Sequence, residues 1–420
     1  MINIIDKHNC CGCAACSNSC PKHCITMKAD EEGFLYPSVE IGLCVDCGLC
    51  EKVCPFNAEL ESHQPQSVYA AINPNETERL QSSSGGIFSM LMRKIIEAGG
   101  VVYGAAFDDN WNVHHIAIES IADMSKLQGS KYVQSSICDT YIHVKQNLQT
   151  GRQVLFSGTA CQVAGLKKFL RKEYDNLLTV DVICHGTPSP MVWQDYIKTI
   201  WQPKGADAGE NTVLLSLNEN PSIEGISFRD KKLGWRKYGF VVRYSDDQRK
   251  SEKFGLSSVE AKSEIWESLH DNVYMQGFLN NLYLRPSCHH CRVKSGRCES
   301  DITLGDFWGV WDVCPDLNDD KGISLVLVNS SKGEDVLASI NALLYDINYK
   351  DALKCNPCLE RSVQETKYRK MFWSSYSSDT VTDNIRNVVK AMRPSFTRKL
   401  YGLIMFFVSK IYHSFVPKRT

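Results

Sequence analysis

The sequence lacks the common signatures of nucleotide binding: no Gly-x-Gly-x-x-Gly follows a strand pattern, and there is no P-loop. No window holds 18 consecutive apolar residues, so no membrane-spanning helix is expected. The opening Met1-Ile-Asn-Ile-Ile-Asp-Lys7 lacks the apolar run of a signal peptide. Charge is nearly balanced, with a formal net charge of -1, so no global field argues for nucleic acid as a partner. Hydrophobic content of 43% and charged content of 23% are ordinary for a soluble globular chain, and 420 residues leave room for two or three domains.

Cysteine is what the sequence has in excess. There are 19, too clustered for a disulfide framework in a chain this long. Free thiolates of this kind suit a reducing cytoplasm, the expected location. Cys10, Cys13, Cys16 and Cys20-Pro21 follow C-x2-C-x2-C-x3-C-P, and Cys44, Cys47, Cys50 and Cys54-Pro55 repeat the pattern without a mismatch. Three cysteines at this spacing wrap a short loop around one face of a 4Fe–4S cluster. The fourth ligates the other cluster of a two-cluster ferredoxin. One cluster is thus assigned to Cys10, Cys13, Cys16 and Cys54, and the other to Cys44, Cys47, Cys50 and Cys20. Zinc knuckles are the alternative, but they rarely use three consecutive x2 cysteines followed by Cys-Pro. Cys11 and Cys24 fall outside the pattern and read as bystander thiols.

Residues 1–60 are therefore expected to form a bacterial-type two-cluster ferredoxin domain, followed by a polar linker. From Ser67 the fold class reads as α/β, or an α+β body. Val68–Ile72 and Val101–Phe107 look like strands, with a helix from Ile87 between them. Val154–Phe156, a turn and a helix from Gln162, then a buried strand over Leu177–Cys184 and a helix from Met191, favour parallel pairing. Strands are expected near Ile226–Phe228 and Phe240–Tyr244, and a helix over Lys262–Leu282. The body is set at 67–320, a mixed C-terminal extension at 321–390, and a basic-apolar tail at 391–420. Within that tail, Leu400–Val408 suits an interfacial helix in peripheral contact with a membrane or docking onto the protein's own core.

Cys288, Cys291 and Cys298 form a second group that needs a fourth ligand, and Cys161 and Cys184 each follow a predicted strand. A third 4Fe–4S cluster fits this set, with zinc as the alternative. Ser82-Ser-Ser-Gly-Gly86 precedes a helix, where free amides suit a phosphate or serve only as an N-cap.

Together these blocks resemble the beta subunits of coenzyme F-420 hydrogenases and dehydrogenases, in the form with a fused N-terminal ferredoxin. The resemblance runs from about residue 1 to 312. It rests on Ser84-Gly-Gly86, Gly129-Ser-Lys-Tyr132, Gly158-Thr-Ala-Cys-Gln162, Cys184-His-Gly-Thr-Pro-Ser-Pro190, Cys288-x2-Cys291 and Gly305-Asp-Phe-Trp-Gly309. Ala160 stands where the family has proline. The resemblance implies a flavoprotein that binds FAD beside a 4Fe–4S cluster and passes hydride to or from coenzyme F-420 or another organic substrate. It makes Ser84, Gly85, Gly86, Lys131 and Tyr132 flavin-site candidates. It prefers Cys161, Cys288, Cys291 and Cys298 as body-cluster ligands, with Cys184 in reserve, and His185 as the candidate acid or base. Electrons are expected from a redox partner protein, such as a reduced ferredoxin or a flavin-type donor. A non-catalytic electron-transfer subunit is the rival reading.

Overall fold

The computed structural model describes residues 1–200, 223–245 and 263–393; the Leu400–Val408 stretch lies outside them. At the N-terminus, β1 (Ile25–Ala29) and β2 (Leu35–Val39) pair antiparallel, Ile25 opposite Val39. Around this hairpin the two cysteine loops repeat each other in backbone as well as in sequence. Gly12 (φ 70°) and Ala14 (φ 59°) in the first loop correspond to Asp46 (φ 49°) and Gly48 (φ 68°) in the second. These left-handed residues turn each loop so that successive cysteines face inward.

The body is built on β3 (Ser67–Ile72), β4 (Val101–Phe107), β5 (Val113–Ile118), β6 (Val154–Thr159) and β7 (Leu177–Val182). Then follow β8 (Ile223–Asp230), β9 (Gly239–Tyr244), β10 (Ser263–Ser268), β11 (Ile302–Asp306), β12 (Ser324–Val328) and β13 (Leu343–Asp346). One eight-stranded sheet runs β13-β3-β12-β11-β7-β6-β4-β5, and β10-β9-β8 form a separate antiparallel sheet. The centre, β11-β7-β6-β4, is parallel. Its strands are buried on both faces, as Val154-Leu-Phe156 and Leu177–Asp181 show, which is why they read as continuous apolar runs.

The helix Ile87–Glu97 buries Ile87, Leu91 and Ile95 against one face of the sheet. On the other face lie the helices Thr140–Gln149 and Ala160–Leu170. The ferredoxin module packs onto them, and its Cys13, Ala15, Val53 and Phe56 share one core with Phe156 and Leu166. A Cβ on Gly165 would stand 2.8 Å from Cys13 Sγ, so glycine there lets the module seat closely.

Two expectations are corrected. Lys262–Leu282 is not one helix. Within it, Ser263–Ser268 is β10, which pairs antiparallel with β9, and the helix is confined to Val273–Leu279. Residues 321–390 are not a separate extension, because β12 lies inside the main sheet and β13 forms its edge. The helix Val381–Met392 closes the aromatic core, burying Ile385 and Val388. Among the described residues no helix is long and apolar enough to cross a membrane.

Candidate functional site

The parallel strands end on a cavity of about 530 Å³, in the crevice where open α/β sheets take their ligands. Ser157 and Gly158 of β6, the turn after β7, and Gly305 and Asp306 of β11 all line it. So do Ser83, Ser84 and Gly86, at the start of the helix Ile87–Glu97, and Lys131 and Tyr132.

The two polar loops are tied together, since Ser130 donates both its amide (2.8 Å) and its hydroxyl (3.0 Å) to Ser83 Oγ. Burial lowers Lys131 to about 7, and its Nζ donates to the carbonyls of Lys126 and Gln128, both at 2.9 Å. That leaves one ammonium proton for an anion in the cavity. Lys231 holds the serine turn from behind, donating to the Ser84 carbonyl at 2.7 Å.

Gly85 has a different role from the expected one. Its amide donates to Ser324 Oγ at 3.0 Å, and a Cβ there would stand 2.4 Å from the Ala71 carbonyl oxygen. This glycine packs backbone against backbone and does not offer its amide to a ligand.

At the far end of the cavity, Arg229 and Asp306 form a buried fork-to-fork pair at 2.6 and 3.1 Å. Arg229 also donates to Tyr132 Oη at 3.2 Å, and its guanidinium lies 3.9 Å from the centre of the Tyr238 ring. Tyr132 stacks on Phe278 with 4.7 Å between ring centres. The pattern could not have revealed Arg229, whose role depends on β8 lying across from β11. His185 also lines the cavity, its Nε2 bonded to Asn281 Oδ1 at 2.7 Å, and burial lowers its pKa.

A second cavity of about 70 Å³ adjoins the first, and Cys161, Cys184 and His185 line both. Cys288, Cys291 and Cys298 also border it. The Gly158–Gln162 block is a capping box: Thr159 caps the helix Ala160–Leu170, and Gln162 Oε1 accepts the Thr159 amide at 3.0 Å. It sets Cys161 in the helix's first turn, where the Cys11 thiol and burial raise its pKa well above the ordinary value. The turn after β7 is stapled to the segment carrying Cys288. Arg285 donates its amide to the Thr187 carbonyl at 3.0 Å, and the Thr187 amide points at Cys288 Sγ, 3.4 Å away.

Burial and the thiols of Cys288, Cys161 and Cys291 all raise Cys184, and all four border the smaller cavity, as does Cys358. Burial, then Cys161 foremost, pushes Cys291 up to about 12. Lys294 donates to the Cys184 carbonyl at 2.7 Å and puts a cation beside the group. Cys298 turns elsewhere: its Sγ lies 3.5 Å from Ser300 Oγ, and burial and Asp181 raise it. Cys184, the ligand held in reserve, thus borders one cavity with all four expected ligands, Cys161, Cys288, Cys291 and Cys298.

In the N-terminal module Cys20, Cys44, Cys47 and Cys50 line one small cavity, as the assignment of the outer cluster requires. Cys24 joins them, 3.4 Å from Cys20. Burial and the thiols of Cys10 and Cys54 raise Cys16 to about 12, and Cys13 is raised too, with Cys11 lowering it but burial, Cys16 and Cys54 prevailing. The thiols of Cys13 and Cys161 both act on Cys11, at the seam between module and body, and its pKa is raised well above the ordinary value. Among the described residues no three of His, Cys, Asp or Glu meet closely enough for a single ion. Thiols ringing cavities fit 4Fe–4S clusters better than zinc.

Comparison with known proteins supports the N-terminal clusters. Residues 9–58 match the 4Fe–4S dicluster domain, and residues 151–346 match the C terminus of the coenzyme F-420 hydrogenase/dehydrogenase beta subunit. A subunit of the F(420)H(2) dehydrogenase of Methanosarcina mazei is 19% identical over 195 residues, 44% of this chain and 55% of that protein. The coenzyme F-420-dependent sulfite reductase of Methanocaldococcus jannaschii is 22% identical over 386 residues, 89% of this chain and 53% of that protein. The chain thus spans about half the length of the curated relatives it matches. A chain of the F-420-reducing [NiFe] hydrogenase complex from Methanosarcina barkeri superposes with a TM-score of 0.40 at 14% identity, covering 79% of this chain and 93% of that one. The chain is an iron–sulfur redox protein related to coenzyme F-420 hydrogenase/dehydrogenase subunits, with that family's C-terminal domain over residues 151–346 and a 4Fe–4S dicluster domain at its N-terminus.

Proposed function

We propose that the protein is an iron–sulfur flavoprotein oxidoreductase, with FAD in the 530 Å³ cavity and a third cluster held by Cys161, Cys184, Cys288 and Cys291. The observation that carries this reading is the shared wall: Cys161 and Cys184 border both the large cavity and the thiol cavity. A cofactor in the first is then a neighbour of a cluster in the second. Bound FAD supplies the exchange between single electrons and a hydride.

The chain's own residues bind and orient. Ser83, Ser130 and the amides opening the helix Ile87–Glu97 suit phosphate oxygens, with Lys131 as the cation. Tyr132, held by Phe278 and Arg229, gives an aromatic wall. His185 stands where the two cavities meet and is placed to hold or deliver a proton. The acceptor is coenzyme F-420 or another organic molecule, and the electrons enter from a partner protein through the N-terminal clusters. The relative from M. mazei is itself named as a subunit, which supports such a partner.

Lys131 tests the cofactor site through pH. In the free protein it titrates at about 7, and an anionic ligand binds its protonated form and raises that value. FAD affinity is expected to weaken as pH rises through 7. Lys131→Met should bind FAD about tenfold or more weakly at pH 6, the loss of a charge-assisted hydrogen bond, and show no pH dependence from this source. Flavin fluorescence titration reads both. An equal pH slope in wild type and variant would contradict the assignment.

A further inference from the structure

Four arginines are buried among the described residues, and three of them have a carboxylate: Arg79 has Asp319, Arg229 has Asp306 and Arg369 has Glu32. Arg285, only 1% exposed and the most buried of the four, has none among the described residues. An isolated buried cation is costly, so its compensating charge must lie nearby.

Its hydrogen bonds show where. Nε donates to the Cys10 carbonyl at 2.8 Å, Nη1 to Gln134 Oε1 at 3.0 Å and Nη2 to the Leu35 carbonyl at 3.0 Å. Nη2 also points at Cys10 Sγ, 3.6 Å away, and the guanidinium stacks 4.3 Å from the centre of the Tyr36 ring. All of these except Gln134 belong to the N-terminal module. A Cβ on Gly12 would stand 2.7 Å from Nη1, so the cysteine loop is shaped around the guanidinium. Burial lowers its pKa, but Cys10, Tyr36, Cys11 and Cys288 together hold it above the ordinary value. Among the thiols facing Arg285, that of Cys10 belongs to the inner N-terminal set and that of Cys288 to the body side, with Cys11 beside Cys10.

We infer that Arg285 is the buried counter-charge of the inner N-terminal cluster and raises its reduction potential above that of the outer one. A cluster held by thiolates is net negative and gains further negative charge on reduction, so a fixed cation beside Cys10 stabilises the reduced form. Lys294 stands in the same relation to the body cysteines. The outer set, Cys20, Cys44, Cys47 and Cys50, has the cations Lys22 and the Met1 amine at its cavity, but Lys22 is exposed and the amine is paired with Asp46 and Glu51, so neither is a buried uncompensated charge like Arg285. The inner cluster becomes the favoured resting place of an electron arriving from outside, next to Cys11 and Cys161.

The inference rests on Cys10, Cys13, Cys16 and Cys54 holding a cluster, and iron analysis of the same samples tests that separately. Redox titration followed by EPR should show Arg285→Gln lowering the reduced-to-oxidised ratio of one N-terminal cluster by about tenfold at fixed ambient potential. The other cluster, identified by its altered signal in Cys47→Ser, should stay within about twofold. Arg285→Lys keeps the charge and should restore most of the ratio. Gln134→Glu keeps the guanidinium, places a carboxylate against Nη1 and should shift the ratio in the same direction as Arg285→Gln. It decides the matter if Arg285→Gln does not retain iron. Full iron content with no shift in Gln134→Glu, or equal shifts in the Lys and Gln variants, would overturn the inference. Wild type with no N-terminal iron would overturn the cluster assignment itself.

Discussion

Replacing Cys288 and Cys291 together by Ser is expected to remove about four of about twelve irons per chain, while the signals of the N-terminal clusters persist. Both thiols border the smaller cavity together with Cys161 and Cys184, and the Thr187 amide already points at Cys288 sulfur. Serine oxygen is a poor ligand for this softer metal chemistry, so the cluster should be lost outright. The N-terminal module has its own loops and eight ligands, and it should assemble regardless. Single variants separate the two candidate ligand sets. Cys184→Ser should lose about as much iron as the double variant, whereas Cys298→Ser should lose little, because its thiol faces Ser300 and Asp181. Unchanged iron in the double variant, or zinc in its place, would contradict the third cluster. Loss of iron in Cys298→Ser with retention in Cys184→Ser would restore the ligand set expected from the sequence.

The other large effect concerns stability. Arg229→Met leaves the Asp306 carboxylate buried beside the cavity without its cation, and should cost about 3–5 kcal/mol. Trp235 Nε1 would remain as a donor to Asp306 at 2.9 Å, too little for a full charge. Tyr132 would lose its Arg229 contact and Tyr238 its stacked cation, so the aromatic end of the cavity should loosen and bind FAD more weakly. Adding Asp306→Leu removes the orphaned charge and should recover much of the stability but not the cofactor affinity. Denaturant midpoints of anaerobic protein, compared at equal iron content, measure the first effect and flavin titration the second. A loss below about 1 kcal/mol for Arg229→Met would mean that the pair is not the buried anchor described here.

What the sequence reveals, and what it hides, follows from the range of the interactions. The duplicated cysteine loops are local, so spacing alone assigns them, and their matching left-handed positions follow the same repeat. Strands β4, β6 and β7 read directly because burial on both faces leaves uninterrupted apolar runs. The fourth body ligand is not local. It depends on the turn after β7 being stapled to a segment about a hundred residues later, through Thr187 and Arg285. Gly85 looks like a phosphate-loop glycine until β12 is placed beside it, after which Ser324 accounts for it. The expected helix over Lys262–Leu282 fails because Ser263–Ser268 finds β9 as an antiparallel partner, a pairing that is not local. Arg229 and Arg285 have no signature at all, since each is defined by what the fold places across from it.

The most direct test of the central claim is the cofactor content of protein purified and analysed without oxygen. Acid extraction followed by chromatography identifies the flavin, and iron is determined on the same sample. The account predicts about one FAD for about twelve irons, a brown protein with flavin absorption that bleaches with dithionite. If the protein, reconstituted with excess FAD and FMN, retains neither, the large cavity is not a flavin site. The chain would then be an electron-transfer subunit whose clusters serve a reaction carried out elsewhere.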